Sequence, residues 1–217
     1  MSRTCYIIGA REPGGIHIAD GETALVIAAD GGLRYTDEQG ITPDLIVGDF
    51  DSLGRVPEGE NILCHPVEKD DTDTMLAVKL GLERGCKRFV LYGCTGGRPD
   101  HMYANLQTLL FIAERGARGY LVGDGWVSCV VCNGALEFPP NLSGTISVFC
   151  PNGEARGVTL SGLYYSLTDG TLTSGFPLGV SNHFTEQRAS VSVREGALLV
   201  MWEESAKNLI NRRKTSG

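Results

Sequence analysis

Asp44-Leu45-Ile46-Val47-Gly48-Asp49-Phe50-Asp51-Ser52 is the stretch on which the reading of the fold turns. Leu45, Ile46 and Val47 suit a short buried strand, and Gly48 ends it abruptly where a backbone or a ligand can come close. Asp49 and Asp51 then stand at the strand's carboxyl end, where carboxylate oxygens can hold a hard cation. Gly and Asp are also common turn residues, so a plain polar turn explains the stretch equally well by itself. Whether both acids reach one metal depends on loop geometry beyond Gly48.

Outward from this point the first half alternates short apolar runs with helix-type segments. The runs are Thr4–Ala10, Ala24–Ala29, Leu45–Val47, Arg88–Tyr92 and Gly119–Val122. Such alternation predicts a parallel sheet with crossover helices. A helix is expected over Leu33–Gln39, one that starts after Asp71-Thr72-Asp73 and runs to the glycine stop at Gly85, and one from about His101 to Gly116. The acids fall in a regular place: Asp30 follows the second run, Asp49 the third, and Asp100 follows Phe89–Tyr92 after a glycine-rich loop. In an open parallel sheet these ends share one edge, and ligands bind in the crevice beside it.

Two further segments belong to that edge. Glu68-Lys69-Asp70-Asp71-Thr72-Asp73 opens a helix. Capping and the helix dipole account for one or two acids there, but a crowded set calls for a cation nearby. Gly93-Cys94-Thr95-Gly96-Gly97-Arg98-Pro99-Asp100-His101 joins a strand to a helix. Its backbone N–H groups and Arg98 suit phosphate oxygens. It is not a Walker A loop, because the chain contains no Gly-Lys pair. His101 reads as a helix N-terminal residue rather than a base.

Near Gly125 the pattern changes. From Trp126 the segments are β-type and broken by Asn133-Gly134, Asn152-Gly153, Asp169-Gly170 and Glu195-Gly196. Thr145–Phe149, Val158–Leu160, Thr171–Ser174, Ala189–Val193 and Ala197–Trp202 complete an antiparallel set, most simply a sandwich. The fold expected is therefore an α/β domain with a mostly parallel sheet over residues 1–125, an all-β antiparallel sandwich over 126–204, and a polar tail over 205–217. Tyr164 and Tyr165 would face opposite ways in a strand, leaving one to offer a stacking face. Gly179-Val180-Ser181-Asn182 lacks the second glycine of a serine-hydrolase elbow and otherwise reads as a turn.

Composition narrows the function classes. The formal net charge of −7 argues against nucleic acid or an anionic membrane as partner. No apolar run approaches the roughly 20 residues that span a bilayer. The 7 cysteines are odd in number and lack framework spacing, and the opening Met1-Ser2-Arg3-Thr4-Cys5 has no signal-peptide pattern, so a reducing cytoplasm is expected. Cys129 and Cys132 form one C-x-x-C inside an apolar segment, where a strand would point the thiols to opposite faces and leave zinc without a full ligand set.

Taken in order, these motifs resemble the thiamine pyrophosphokinase family over nearly the whole chain. The motifs are Ala29-Asp30-Gly31-Gly32, Gly48–Ser52, Lys69–Asp73, Gly96-Gly97-Arg98-Pro99-Asp100-His101 with Asn105, Gly162-Leu163-Tyr164-Tyr165 and Gly179–Asn182. The resemblance implies a homodimer with thiamine sites between subunits, which transfers a pyrophosphoryl group from ATP to the hydroxyl of thiamine with Mg2+ and releases AMP. Carried over by position, Asp49, Asp51 and Asp73 are the implied metal ligands. Asp30, Lys69, Asp71, Gly96, Gly97, Arg98 and Asn105 belong to the ATP side, and Tyr165, Ser181 and Asn182 to thiamine. Some relatives carry tryptophan where this chain has Tyr165, a smaller face for a cationic substrate. Asp100 is the candidate for orienting or deprotonating the hydroxyl, with Lys69 and Arg98 neutralising phosphate charge. Two rival readings remain at this level: a phosphatase with Asp49 as nucleophile, and a binding protein that retains the pocket without chemistry.

Overall fold

The computed structural model describes residues 3–19, 23–48, 62–63, 71–204 and 208–209. Asp49, Asp51 and Lys69 lie outside the described residues. The first half runs β1 (Thr4–Ile8), β2 (Ala24–Ala29), α1 (Gly32–Glu38), β3 (Leu45–Val47), β4 (Ile62–Leu63), α2 (Asp73–Glu83), β5 (Arg88–Tyr92), α3 (Pro99–Glu114) and β6 (Arg118–Gly123). The second half is β7 (Trp126–Cys132), β8 (Ala135–Phe138), β9 (Thr145–Phe149), β10 (Glu154–Ser161), β11 (Leu167–Thr173), β12 (Gly179–His183), β13 (Ala189–Ser192) and β14 (Ala197–Glu203).

The expected alternation produces a parallel ladder in the order β6-β5-β1-β2-β3-β4. From β1 the chain steps outward through β2, β3 and β4, then returns to place β5 on the other side of β1. The strand order therefore reverses between β1 and β5, which makes their carboxyl ends the topological switch point. Their register pairs Ile8 with Tyr92, so both strands run out at the same level. α3 begins two residues earlier than its apolar stripe predicts, because Pro99 occupies the first helical turn, where its fixed φ and missing N–H are tolerated.

Beyond β6 the sheet continues without a gap. Asp124 and Gly125 both take positive φ, 54° and 77°, and so make the two-residue turn that pairs Gly123 with Trp126. β7, β14, β9 and β12 then extend the same sheet in antiparallel fashion to 10 strands. The change of pattern at Gly125 is thus a change of strand direction inside one hydrogen-bonded sheet. A second sheet, β11-β10-β13-β8, covers one face of that extension and forms the expected sandwich. Gly179–Asn182, which reads locally as a turn, is part of edge strand β12, paired to β9 through a register shift.

Two cores follow from the alternation of side chains. On one face, Val127, Cys129, Val131, Val148, Val200 and Trp202 meet Phe138, Val158, Leu172 and Val191 of the smaller sheet. Phe138 packs edge-on to Trp202 at 5.3 Å and to Phe184 at 5.1 Å. On the other face, Ile7, Ile27, Leu91 and Val130 lie beneath Ala77 and Val78 of α2 and Leu109 and Ile112 of α3. Cys129 belongs to the first core and Cys132 packs against the second, as period-two alternation requires.

Candidate functional site

The carboxyl ends of β1, β2 and β5 and the N-termini of α2 and α3 enclose a cleft of about 350 Å3. Asp30 stands directly after β2 with φ +47°, and its N–H donates to Val47 O at 2.7 Å. Gly48 lies tight against this turn: it takes φ 152°, and a Cβ there would lie 3.1 Å from Asp30 Cα. The close approach anticipated at Gly48 is therefore to the backbone of Asp30.

α2 carries its acids into the cleft through its cap. Thr72 Oγ1 accepts from Met75 N at 3.1 Å and starts the helix, so that Asp71, Thr72, Asp73 and Thr74 line the cavity. Asp71 is engaged by Lys79 one helix face away, Nζ to Oδ2 at 2.5 Å. Asp73, at the first helical position, is the acid of this set most favourably placed at the helix's positive end.

The glycine-rich loop crosses the switch point. Gly96 and Gly97 take φ of 71° and 66°, which keeps the loop flat against its neighbours. Asn105, buried on α3, donates its amide to Cys94 O at 2.8 Å and so holds the loop from below. Cys94 itself is buried, with its thiol 3.9 Å from Thr74 Oγ1, and burial pushes its pKa up to about 11. It remains a thiol and offers no nucleophile.

Arg98 departs from expectation. Its guanidinium grips Asp100 with two hydrogen bonds, Nε to Oδ1 at 3.1 Å and Nη2 to Oδ2 at 2.5 Å. This pair, and the N–H of His101, hold the Asp100 carboxyl down at about 2. A carboxylate so weakly basic suits orientation of a hydroxyl better than removal of its proton.

Sequence reasoning passed over the loop after β1. Gly9, Ala10 and Arg11 line the same cleft, and Arg11 stands past a strand end just as Asp30 does. The positional signal used for the acids applied equally to this arginine. Among the described residues no group of three or more His, Cys, Asp or Glu is arranged to hold a metal ion.

The residues expected to meet thiamine lie elsewhere, around edge strand β12. Tyr164 and Tyr165 sit in a bend, and both are exposed, at 69% and 63%, so neither is core. Their rings meet edge-on at 4.9 Å. Asn182 is buried and its side chain is committed to the bend: Oδ1 accepts from Tyr165 N at 2.9 Å and Nδ2 donates to Tyr165 O at 2.7 Å. Ser181 adopts φ +58°, is exposed, and its N–H donates to Ser147 Oγ at 3.0 Å.

Comparison with known proteins accords with this arrangement. Residues 20–121 match the thiamin pyrophosphokinase catalytic domain and residues 135–198 the thiamin pyrophosphokinase vitamin B1 binding domain. The chain is 28% identical over 187 residues to the thiamine pyrophosphokinase of Bacillus subtilis, covering 83% of this chain and 87% of that protein. The crystal structure of thiamine pyrophosphokinase from Bacillus subtilis superposes with a TM-score of 0.80 at 25% identity, covering 93% of this chain and 99% of the other. That of thiamin pyrophosphokinase from Geobacillus thermodenitrificans gives 0.78 at 26% identity, covering 94% and 98%. With both halves of its sheet matched in order, the chain belongs to the thiamin pyrophosphokinase family.

Proposed function

We propose that the cleft at the β1/β5 switch point is the ATP and metal site and that the β12 region supplies the thiamine site. As a member of its family the enzyme transfers a pyrophosphoryl group from ATP to thiamine, giving thiamine diphosphate. The remaining product is AMP, since the terminal two phosphates leave together. The observation that carries the site assignment is the convergence of the loops after β1, β2 and β5 with two helix N-termini on one cleft. N–H groups at such ends favour anionic phosphates.

Although the described residues by themselves do not complete a metal site, Asp73 brings to the cleft a hard carboxylate oxygen, the donor type that suits Mg2+. Asp73 would hold it together with Asp49 and Asp51, which lie outside the described residues. Bound there, Mg2+ offsets phosphate charge. Lys69, also outside the described residues, adds positive charge beside it. Gly96 brings the loop backbone to the cleft without a side chain, and Asn105 keeps the loop in place through Cys94 O. Asp100 orients the thiamine hydroxyl for in-line attack on the β-phosphorus. Asn182 presents the Tyr165 ring, whose face suits the cationic substrate.

This division calls for a homodimer. β12 lies five strand positions from β5 in the sheet order, about 24 Å along the sheet at the usual spacing of about 4.8 Å. That span exceeds a thiamine molecule, so a site that uses both regions is best built from two copies. Tyr164, Tyr165, Phe176, Leu178 and Val180 expose an apolar patch beside β12 that a second copy would cover. The cysteine usage and acidic charge favour a cytoplasmic enzyme with small-molecule substrates and no nucleic-acid partner. Among the described residues no helix is long and apolar enough to cross a membrane.

Incubation with thiamine, ATP and Mg2+ followed by product identification tests the reading. Thiamine diphosphate with AMP is expected. ADP with thiamine monophosphate, or inorganic phosphate alone, would overturn it.

A further inference from the structure

We infer that Arg11 is a phosphate-chain ligand of the nucleotide, a role that rests on reading the cleft as the ATP site. The backbone puts this residue at the switch point. Gly9 N donates to Tyr92 O at 2.8 Å and Arg11 N donates to Gly93 O at 3.0 Å, so the loop after β1 is stitched to the start of the glycine-rich loop. Arg11 is thereby carried past the end of β1 onto the cleft wall.

Its side chain is exposed but lies against the glycine-rich loop. The guanidinium lies across Gly97, where a Cβ would come within 2.5 Å of Cζ, Nε and Nη2. Any side chain at position 97 would displace the arginine, so glycine there serves the placement of Arg11 as well as the loop's own turn.

Charge separates Arg11 from the other cations of the cleft. Arg98, which lines the same cleft, is already held by Asp100, and Lys79, outside the lining, is held by Asp71. Among the described residues no carboxylate comes within ion-pair distance of Arg11. A guanidinium on a cleft wall, in a chain of formal charge −7, is matched by an anion with several oxygens. A triphosphate offers paired oxygens to the planar fork. The competing account is a solvated surface arginine that touches Gly97 only in passing.

The test uses the full chain and two variants. Arg11→Met keeps an unbranched stem against Gly97 and removes the charge, while Arg11→Lys keeps the charge and removes the fork. Isothermal titration with inorganic tripolyphosphate and with ATP is combined with steady-state kinetics. Arg11→Met should weaken both ligands by about tenfold to a hundredfold and raise the KM for ATP in step, with the KM for thiamine unchanged. Arg11→Lys should fall between Arg11→Met and the unmodified protein. Tripolyphosphate and ATP binding unaltered by Arg11→Met would overturn the inference, as would a fall in kcat with unchanged nucleotide affinity, which marks a packing role. If the unmodified protein binds tripolyphosphate through Arg11 yet makes no thiamine diphosphate, the anion ligand stands and the functional reading falls.

Discussion

Arg98 and Asp100 form a two-point ion pair at the mouth of the cleft, with the guanidinium Nη2 2.5 Å from Oδ2 and Nε 3.1 Å from Oδ1. The pair spans the first turn of α3, so it ties the end of the glycine-rich loop to the helix it feeds. Both side chains are well exposed, at 65% and 62%, and water screens their attraction, so the pair matters for geometry more than for stability.

The first prediction concerns its titration. Asp100 has its folded pKa depressed from the ordinary 3.8 to about 2, chiefly by its hydrogen bonds from Arg98. A depressed carboxylate contributes its interaction above the unfolded pKa and loses it as pH falls through the folded one. The ion pair should therefore persist at pH 4 and dissolve near pH 2. Carbon-detected NMR titration of the Asp100 carboxyl checks this, and Arg98→Met should return its midpoint toward 3.8.

A second prediction concerns Asn105, whose amide is the buried partner of Cys94 O. Asn105→Ala leaves that carbonyl without its donor, and urea denaturation should show a loss of about 1–3 kcal/mol. Because the freed carbonyl belongs to the glycine-rich loop, the KM for ATP should rise while that for thiamine holds. A stability loss with unchanged ATP kinetics would restrict Asn105 to packing.

Asn182 and Tyr165 make the opposite split. Asn182→Ala removes both hydrogen bonds to the Tyr165 backbone and should raise the KM for thiamine with little effect on ATP. Tyr165→Ala should raise it by about threefold to thirtyfold, the range expected from losing a cation–π contact, and Tyr165→Trp should lower it. Steady-state kinetics at saturating ATP distinguishes these outcomes, and an indifferent Tyr165→Ala would remove the ring from the thiamine site.

The shared site makes a fourth prediction. Asp73→Asn should abolish turnover, and Tyr165→Ala should demand high thiamine. If the proposed homodimer holds, the two proteins refolded together give mixed dimers in which one site pairs an intact Asp73 with an intact Tyr165 from the other copy. Activity at low thiamine should then exceed that of either variant alone. Failure to recover it, with a mixed dimer confirmed by native mass spectrometry, would place both residues of a site on one chain.

Much of the site was legible from local pattern, since an acid after an apolar run or a glycine-rich strand-to-helix loop is a short-range feature. Asp30, read from a strand end, Asp73, read from a helix start, and Gly96 of the glycine-rich loop all line the cleft, whereas Asp100 is turned to Arg98 and is not part of its lining. The shared exposure of Tyr164 and Tyr165 is not written locally, because strand alternation gives way there to a bend held by Asn182. Arg11 stands past the end of β1 on the same cleft, but a lone arginine after an apolar run carries no local mark that sets it apart from a solvated one.

Asp44–Ser52 illustrates the division between the two levels. By itself the sequence determined a short parallel strand over Leu45–Val47, a close approach at Gly48 and the sheet edge on which the acids after the strands fall, because burial, backbone sterics and strand direction are written in neighbouring residues. Only the tertiary structure decided that one sheet runs through Gly125 to β12, that Asp30 is the backbone Gly48 approaches, and that Arg98 meets Asp100 while Arg11 crosses Gly97. Strand order and side-chain pairing depend on contacts between residues far apart along the chain, and no local periodicity encodes which of several cations will find a carboxylate and which will be left facing the cleft.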